Sequence, residues 1–306
     1  MSMSRFMKRW LLPEGVQDVL RNVRVRPRRP TESPQLALTA EMVAKNADLK
    51  DCHKGQRCFI LATGPSVKEQ DLTVLSGELC IGVAFFFLHP QIDIIQPRYH
   101  VFAPNHPPFD FDRVDRDLVG AEKHYKHKPI VFYGYRPYRY SVLNYFEQHP
   151  REYSLPFRLL NYSNSMQMDE KNYASKDIWD ITAAPFQPRT VVYSAIQVAV
   201  FMGCMEIYLI GCDHDYLNNL QRTENHYYPE ASGNPNDVSF LLSEFTTERW
   251  FYEYYSRWRD YRLMQEYLAS RGVRIINSTK GGMLDVFPRM RLEDVARPSV
   301  ARPSGA

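Results

Sequence analysis

RCFILATGPS, residues Arg57 to Ser66, decides how this chain is read. A short apolar run (Cys58, Phe59, Ile60, Leu61, Ala62) breaks at Thr63-Gly64-Pro65-Ser66, and Lys68, Glu69, Asp71, Leu72 and Leu75 follow in a helical pattern. That order predicts a buried strand, a tight glycine turn and a helix start, the place where an open α/β sheet receives a nucleotide or phosphate. Gly64 would let the backbone approach a ligand with no Cβ in the way. Pro65 suits a first helical position. Ser66 offers a hydroxyl, and the free N–H groups of a helix start favour an anion. A strand-to-helix turn that binds nothing accounts for the segment equally well. The stretch is neither the G-x-G-x-x-G fingerprint nor the G-x-x-x-x-G-K-[ST] phosphate loop.

Outward from this turn, further strands are expected at residues 79–83, 98–103, 129–133, 206–211 and 273–277, beside the first at 57–62, with helical patterns between most of them. The alternation predicts a Rossmann-like α/β fold: a mainly parallel sheet, right-handed crossovers and helices on both faces. Helices are expected over 36–49 and 247–270, the latter a long aromatic amphipathic one. Residues 134–187, rich in Tyr and Asn, are expected to be irregular with short helices. The domain layout is a basic amphipathic extension and linker over 1–35, the main domain over 36–292 with a lid at about 214–246, and a disordered tail over 293–306.

The whole chain of 306 residues carries a net charge of +3, yet residues 1–30 hold eight bases against Glu14 and Asp18, so the body is slightly acidic. That excludes a nucleic-acid-binding body. The basic segment, with Phe6, Trp10, Leu11 and Leu12, could lie on an anionic inner-membrane surface through residues 1–29. A helix packed on the body, followed by a solvated linker, is the plainer reading and carries more weight. No apolar stretch is long enough to cross a bilayer, and no signal peptide is visible. The five cysteines are scattered and form no C-x-x-C pair; Cys58, Cys80, Cys204 and Cys212, in or beside apolar segments, read as small buried hydrophobes of a cytoplasmic protein.

Thr190 to Tyr216, TVVYSAIQVAVFMGCMEIYLIGCDHDY, predicts a buried helix, a glycine stop and a central strand. Asp213 and Asp215 then emerge at a strand's carboxyl end. Their D-x-D form suits Mg²⁺ or Mn²⁺. A helix-capping carboxylate, or one bonded to ribose hydroxyls, explains Asp213 at least as well. The polar stretch that follows holds Asn225-His226-Tyr227-Tyr228 and has the character of a lid. Histidine is the side chain that titrates nearest neutrality, which suits His226 to take a proton from a hydroxyl, with Tyr227 and Tyr228 donating to a phosphate. On the residues alone, an exposed histidine with two packing tyrosines is preferred. Asn277-Ser278-Thr279-Lys280-Gly281-Gly282 closes the last strand, and Asn105 follows the third. Together these strand ends make a crevice.

RCFILATGPSVKEQDL, TVVYSAIQVAVFMGCMEIYLIGCDHDY, His226-Tyr227-Tyr228 and RIINSTKGGMLDVFPR, in order over residues 50–292, resemble a bacterial glycosyltransferase-like domain. That domain is grouped with archaeal hydroxymethylpterin diphosphokinases and shared by flagellin-modifying motility accessory factors. A more distant resemblance is to the bacterial CMP-sialic acid sialyltransferases. It implies a Rossmann-like fold with a lid over a sugar nucleotide, a CMP-activated donor and no metal or other cofactor. By position, Thr63, Gly64, Pro65, Ser66, Asn105, Thr190, Asp213 and Ser278 would face the nucleotide. His226 would be the base, and Tyr227 and Tyr228 would hold the phosphate. The sialyltransferases have Asn before the turn glycine and Asn after the second strand, where this chain has Thr63 and Val83 or Ala84. The expected activity is transfer of an acidic, nonulosonic-acid-like sugar from a CMP-activated donor to a glycan or glycolipid acceptor. The alternatives are an Mg²⁺-dependent diphosphate transferase acting on a pterin-like alcohol, with Asp213 and Asp215 on the metal, and a non-catalytic nucleotide-sugar-binding module.

Overall fold

The computed structural model describes residues 34–150, 153–216, 226–228 and 246–296. The expectations for residues 1–33, for most of the lid and for residues 297–306 therefore lie outside the described residues. By contacts the chain divides into two units, residues 1–39 and residues 40–306. Of the first, only the start of helix α1 (Pro34–Ala44) is described.

The second unit is built on seven strands: β1 Arg57–Leu61, β2 Cys80–Val83, β3 Tyr99–Phe102, β4 Ile130–Tyr135, β5 Phe157–Asn161, β6 Glu206–Ile210 and β7 Arg274–Asn277. They form one sheet in the order β5-β4-β3-β2-β1-β6-β7, and every pairing is parallel. The chain steps outward from β1 to β5, then returns to the other side of β1 for β6 and β7. β1 and β6, in register from Arg57 opposite Glu206 to Leu61 opposite Ile210, therefore flank the switch point. Open α/β sheets bind ligands outside the carboxyl ends of the strands at that point.

Both faces of the sheet are buried, which is why the strands read as apolar runs and not as alternating ones. Cys58 and Ile60 enter one core, whereas Phe59 and Leu61 enter the other, and all four have no exposed surface. The first core is covered by α5 (Val191–Phe201) and α6 (Thr247–Ser270) through Val192, Ile196, Met264 and Leu268. The second is covered by α3 (Phe111–His124) and α4 (Val142–Gln148), with Val114, Leu118 and Leu143 facing the sheet. A short helix α2 (Ile92–Ile95) and α7 (Leu292–Ala296) complete the helices of the described residues.

The parallel Rossmann-like sheet with helices on both faces is as expected. Three local readings differ. The segment after Ser66 forms two 3₁₀ turns, Pro65–Glu69 and Leu72–Leu75, because the helical spacing there is too short to sustain an α-helix. β5 lies inside the stretch read as irregular; its Leu159 and Leu160 are buried, but Arg158 and Asn161 break the apolar run. Residues 293–296, read as tail, continue α7, where Val295 is buried.

Candidate functional site at the carboxyl edge of the sheet

The turn after β1 and the turn after β6 are locked together. Gly64 N–H donates to Gly211 O at 2.9 Å, and Ala62 N–H to Ile210 O at 2.8 Å. Ser66 gives two donors to one carboxylate: its N–H reaches Asp213 Oδ1 at 3.1 Å and its Oγ reaches Asp213 Oδ2 at 2.8 Å. Gly64 holds an ordinary extended backbone, φ −60° and ψ 153°. What requires glycine there is space, because a Cβ would overlap Asp213 Oδ2. The free N–H expected to receive a ligand anion is thus occupied by the protein's own carboxylate. Asp213 caps the turn after the neighbouring strand, and not the helix after its own.

Asp213 is 5% exposed, and burial raises its carboxyl pKa; the Ser66 bonds oppose that shift and Asp215 adds to it. Its carbonyl accepts from Met283 N–H at 2.8 Å, and a Cβ on Gly282 would sit 2.7 Å from its Cα. The next residue, His214, takes the left-handed conformation at φ 48° and points inward, with Nε2 2.9 Å from Tyr261 Oη. Burial drives its pKa far below that of a free imidazole, and the Arg257 charge acts in the same direction. Among the described residues, no group of three or more His, Cys, Asp or Glu side chains is gathered as a metal cage.

His226-Tyr227-Tyr228 is hung on the same edge. Tyr227 N–H donates to Thr63 O at 3.0 Å, and its hydroxyl lies 3.0 Å from Phe85 O and 3.2 Å from Phe86 O, beyond β2. A phenol has one proton, and here it is directed to main-chain carbonyls. Tyr227 is 7% exposed and burial raises its pKa. The His226 ring stacks on Tyr228 at 5.0 Å, and Tyr228 meets the Phe85 ring edge-on at 5.5 Å. The histidine is thereby next in the chain to a residue bonded at the β1 end, at Thr63.

Ser278, 2% exposed, is bound by its main chain: N–H to Leu209 O at 2.8 Å, and O from Gln70 Nε2 at 2.9 Å. Its hydroxyl is buried with no hydrogen-bond partner among the described residues. A cleft of ≈ 460 Å³ opens there, lined in part by Gln70, Thr279, Lys280, Arg289 and Arg291. Asn105, after β3, donates through Nδ2 to Asp110 O at 2.9 Å and Tyr140 O at 2.8 Å. Those two carbonyls fix its amide orientation and leave Oδ1 buried without a partner. Thr190 stands at the N-cap of α5, with no capping bond from its hydroxyl. The structure therefore gathers Thr63, Gly64, Pro65, Ser66, Asp213 and Tyr227 directly, while Asn105, Thr190 and Ser278 occupy other strand or helix ends of the unit.

Sequence reasoning passed over the arginines. Arg257 on α6 has Nε and Nη1 buried without a hydrogen-bond partner, its guanidinium 5.6 Å from the Tyr254 ring centre. Arg116 on α3 has Nε and Nη2 in the same condition. The spacing of Arg113 and Arg116, three apart in the first turns of a helix that follows a strand's carboxyl end, is a signal that could have found them.

No protein-family model and no curated protein matches this chain. Among solved structures, the chain is similar to the sialyltransferase CstII from Campylobacter jejuni, determined in complex with a substrate analogue, cytidine-5'-monophosphate. The match covers 78% of this chain and 85% of that one at 13% sequence identity, with a TM-score of 0.45. A likeness at that level assigns neither activity nor ligand.

Proposed function

We propose that the protein is a glycosyltransferase that moves an acidic, nonulosonic-acid-like sugar from a CMP-activated donor to a glycan or glycolipid acceptor. The observation that carries this reading is the Tyr227 N–H to Thr63 O bond, which holds a histidine-bearing segment at the carboxyl end of β1, beside the turn after β2. The order of motifs over residues 50–292, described above as a resemblance, supports the same chemistry.

In the reaction, a ring nitrogen of His226 takes the acceptor hydroxyl proton as the oxygen attacks the anomeric carbon. The new C–O bond forms as the bond from that carbon to the phosphate oxygen breaks, and CMP leaves with the electron pair. Cationic and polar groups at the strand ends stabilise the charge that develops on the departing phosphate. Tyr227 serves as the tether of the segment, since its proton is directed to the Phe85 and Phe86 carbonyls. The phosphate contact falls to Tyr228. In the diphosphate-transferase alternative, Asp213 and Asp215 would bind the metal, with the Asp213 oxygens oriented by Ser66.

Thermal-shift titration with CMP, CDP, UDP, GDP and ATP, each with and without Mg²⁺, tests the proposal. A ligand that binds only the folded state raises the transition temperature by mass action. Stabilisation by CMP or CDP in EDTA is expected. A response to ATP alone, and only with Mg²⁺, overturns it in favour of diphosphate transfer.

A further inference from the structure

At the carboxyl ends of β2 and β3, two guanidinium groups meet one aromatic ring, and one of them has buried donors with no hydrogen-bond partner among the described residues, although Asp112 and Asp117 act on its charge. Ala84, just past β2, turns through a left-handed conformation at φ 50°, and Phe85 follows it. Arg113 lays its guanidinium 4.9 Å from the Phe85 ring centre and 5.5 Å from that of Phe109. Arg116 approaches the same Phe85 ring at 5.9 Å. Two cations thus share one aromatic platform, and cation–π contact offsets part of their desolvation.

Their partners are unequal. Arg113 Nε donates to Asp117 Oδ1 at 3.1 Å, and Asp117 Oδ2 accepts from Tyr133 Oη at 2.7 Å. Arg116 has no such carboxylate: Nε and Nη2 are buried with no hydrogen-bond partner among the described residues. Its pKa is lowered, first by burial and then by the Arg113 charge, with Asp117 and Asp112 opposing. A third cation, Arg136 after β4, shares its field with Arg113 at His106, the residue after Asn105. Asn105 adds the orphaned acceptor Oδ1 in the same loop.

At two other places on the edge the charges are already met, although Arg257, whose charge acts on His214, also has open donors. In the cleft beside β7, Lys280 pairs with Glu69, Arg291 with Asp294, and Arg289 donates to the carbonyls of Thr279, Gly281 and Leu284. At the β1 turn, Asp213 fills the N–H position and would repel a second anion. An uncompensated buried guanidinium is costly unless something binds it.

We propose that Arg113 and Arg116, with the Phe85 platform and Asn105 Oδ1, form an anion subsite for a phosphate group whose neighbouring hydroxyl or amide donates to Asn105. On the glycosyltransferase reading, on which this assignment of the group rests, the phosphate is that of the CMP moiety. It enters one strand away from the glycine turn where the sequence places it. Tyr228 meets the same Phe85 ring and His226 stacks on Tyr228, so a phosphate held by Arg116 would lie on the side of the sheet edge that carries His226.

The test is calorimetric titration of the full chain with inorganic pyrophosphate and, separately, with CMP, for the wild type, Arg116→Gln and Arg116→Lys. Arg116→Gln is expected to weaken both ligands by roughly tenfold or more, the loss of a charge-assisted bond. Arg116→Lys should recover only part, because an ammonium lacks the planar fork. Binding of pyrophosphate that Arg116→Gln weakens, with no binding of CMP, keeps the subsite and removes the CMP reading. Binding of CMP that neither variant changes keeps that reading and overturns the subsite. Wild-type protein that binds neither ligand overturns both. Unchanged transition temperatures of the variants without ligand exclude a folding defect.

Discussion

The β1/β6 end and the β2/β3 end of the sheet have the same strand geometry and opposite chemistry. At the first, turn and carboxylate complete each other: Asp213 satisfies Ser66, and Gly64 leaves the room for it. At the second, guanidinium groups are buried against Phe85 with donors left open. A glycine turn at a strand's carboxyl end therefore marks a place that must be close-packed, which can be for a ligand or for the protein itself. The unsatisfied donor is the better guide to where an anion goes.

The largest expected effect separates chemistry from scaffold. His226→Ala should lower transferase turnover by about 10²–10⁴, the usual worth of a general base, with the unfolding midpoint unchanged. Unaltered turnover would remove His226 as the base. Gly64→Ala should do the reverse, costing about 3 kcal/mol of stability through overpacking against Asp213, measured by urea unfolding. Combining it with Asp213→Ala should recover part of the loss, because the two changes share one contact. A fully additive double variant would contradict the packing account.

A smaller effect is set by buried imidazoles at both ends. His100 donates from Nε2 to Ala84 O and accepts from Tyr125 Oη at Nδ1; burial holds its pKa at about 3. Burial holds His89 at about 4, and His214 is also lowered. These groups stay neutral in the folded protein, whereas in the unfolded chain they protonate below pH ~6.5. The unfolded state then binds more protons, so stability falls as pH drops from about 6.5 towards 4. Urea midpoints across that range should decline, and His100→Asn, although less stable throughout, should show a shallower decline. A flat profile would place charged imidazoles in the fold. Smallest of all, Asp213→Asn should cost about 1 kcal/mol, since an amide keeps one acceptor for Ser66.

The sheet was legible in the sequence because both of its faces are buried. Six of the seven strands fall within two residues of their expected bounds. β5 was not, because Arg158 and Asn161 give it the polarity of a loop; Arg158 reaches out to Asp48 at 2.6 Å. The turn residues of the candidate site were found, but their engagement was not. Nothing in a linear reading reports that Asp213, 147 positions from Ser66, would fill the turn's own donor position. The arginines of α3 escaped notice for a related reason. Asp117 is one helical turn from Arg113, but Phe85 belongs to the β2–β3 connection and meets α3 only in the folded chain.

The most direct test of where charge enters is backbone amide NMR during titration with CMP in EDTA. The account predicts the largest shifts at Ala84, Phe85 and residues 105–116, with smaller shifts at Thr63 and the Ser66 amide held by Asp213. Largest shifts at the Ser66 amide, or no shift along the carboxyl edge at saturating CMP, would contradict it.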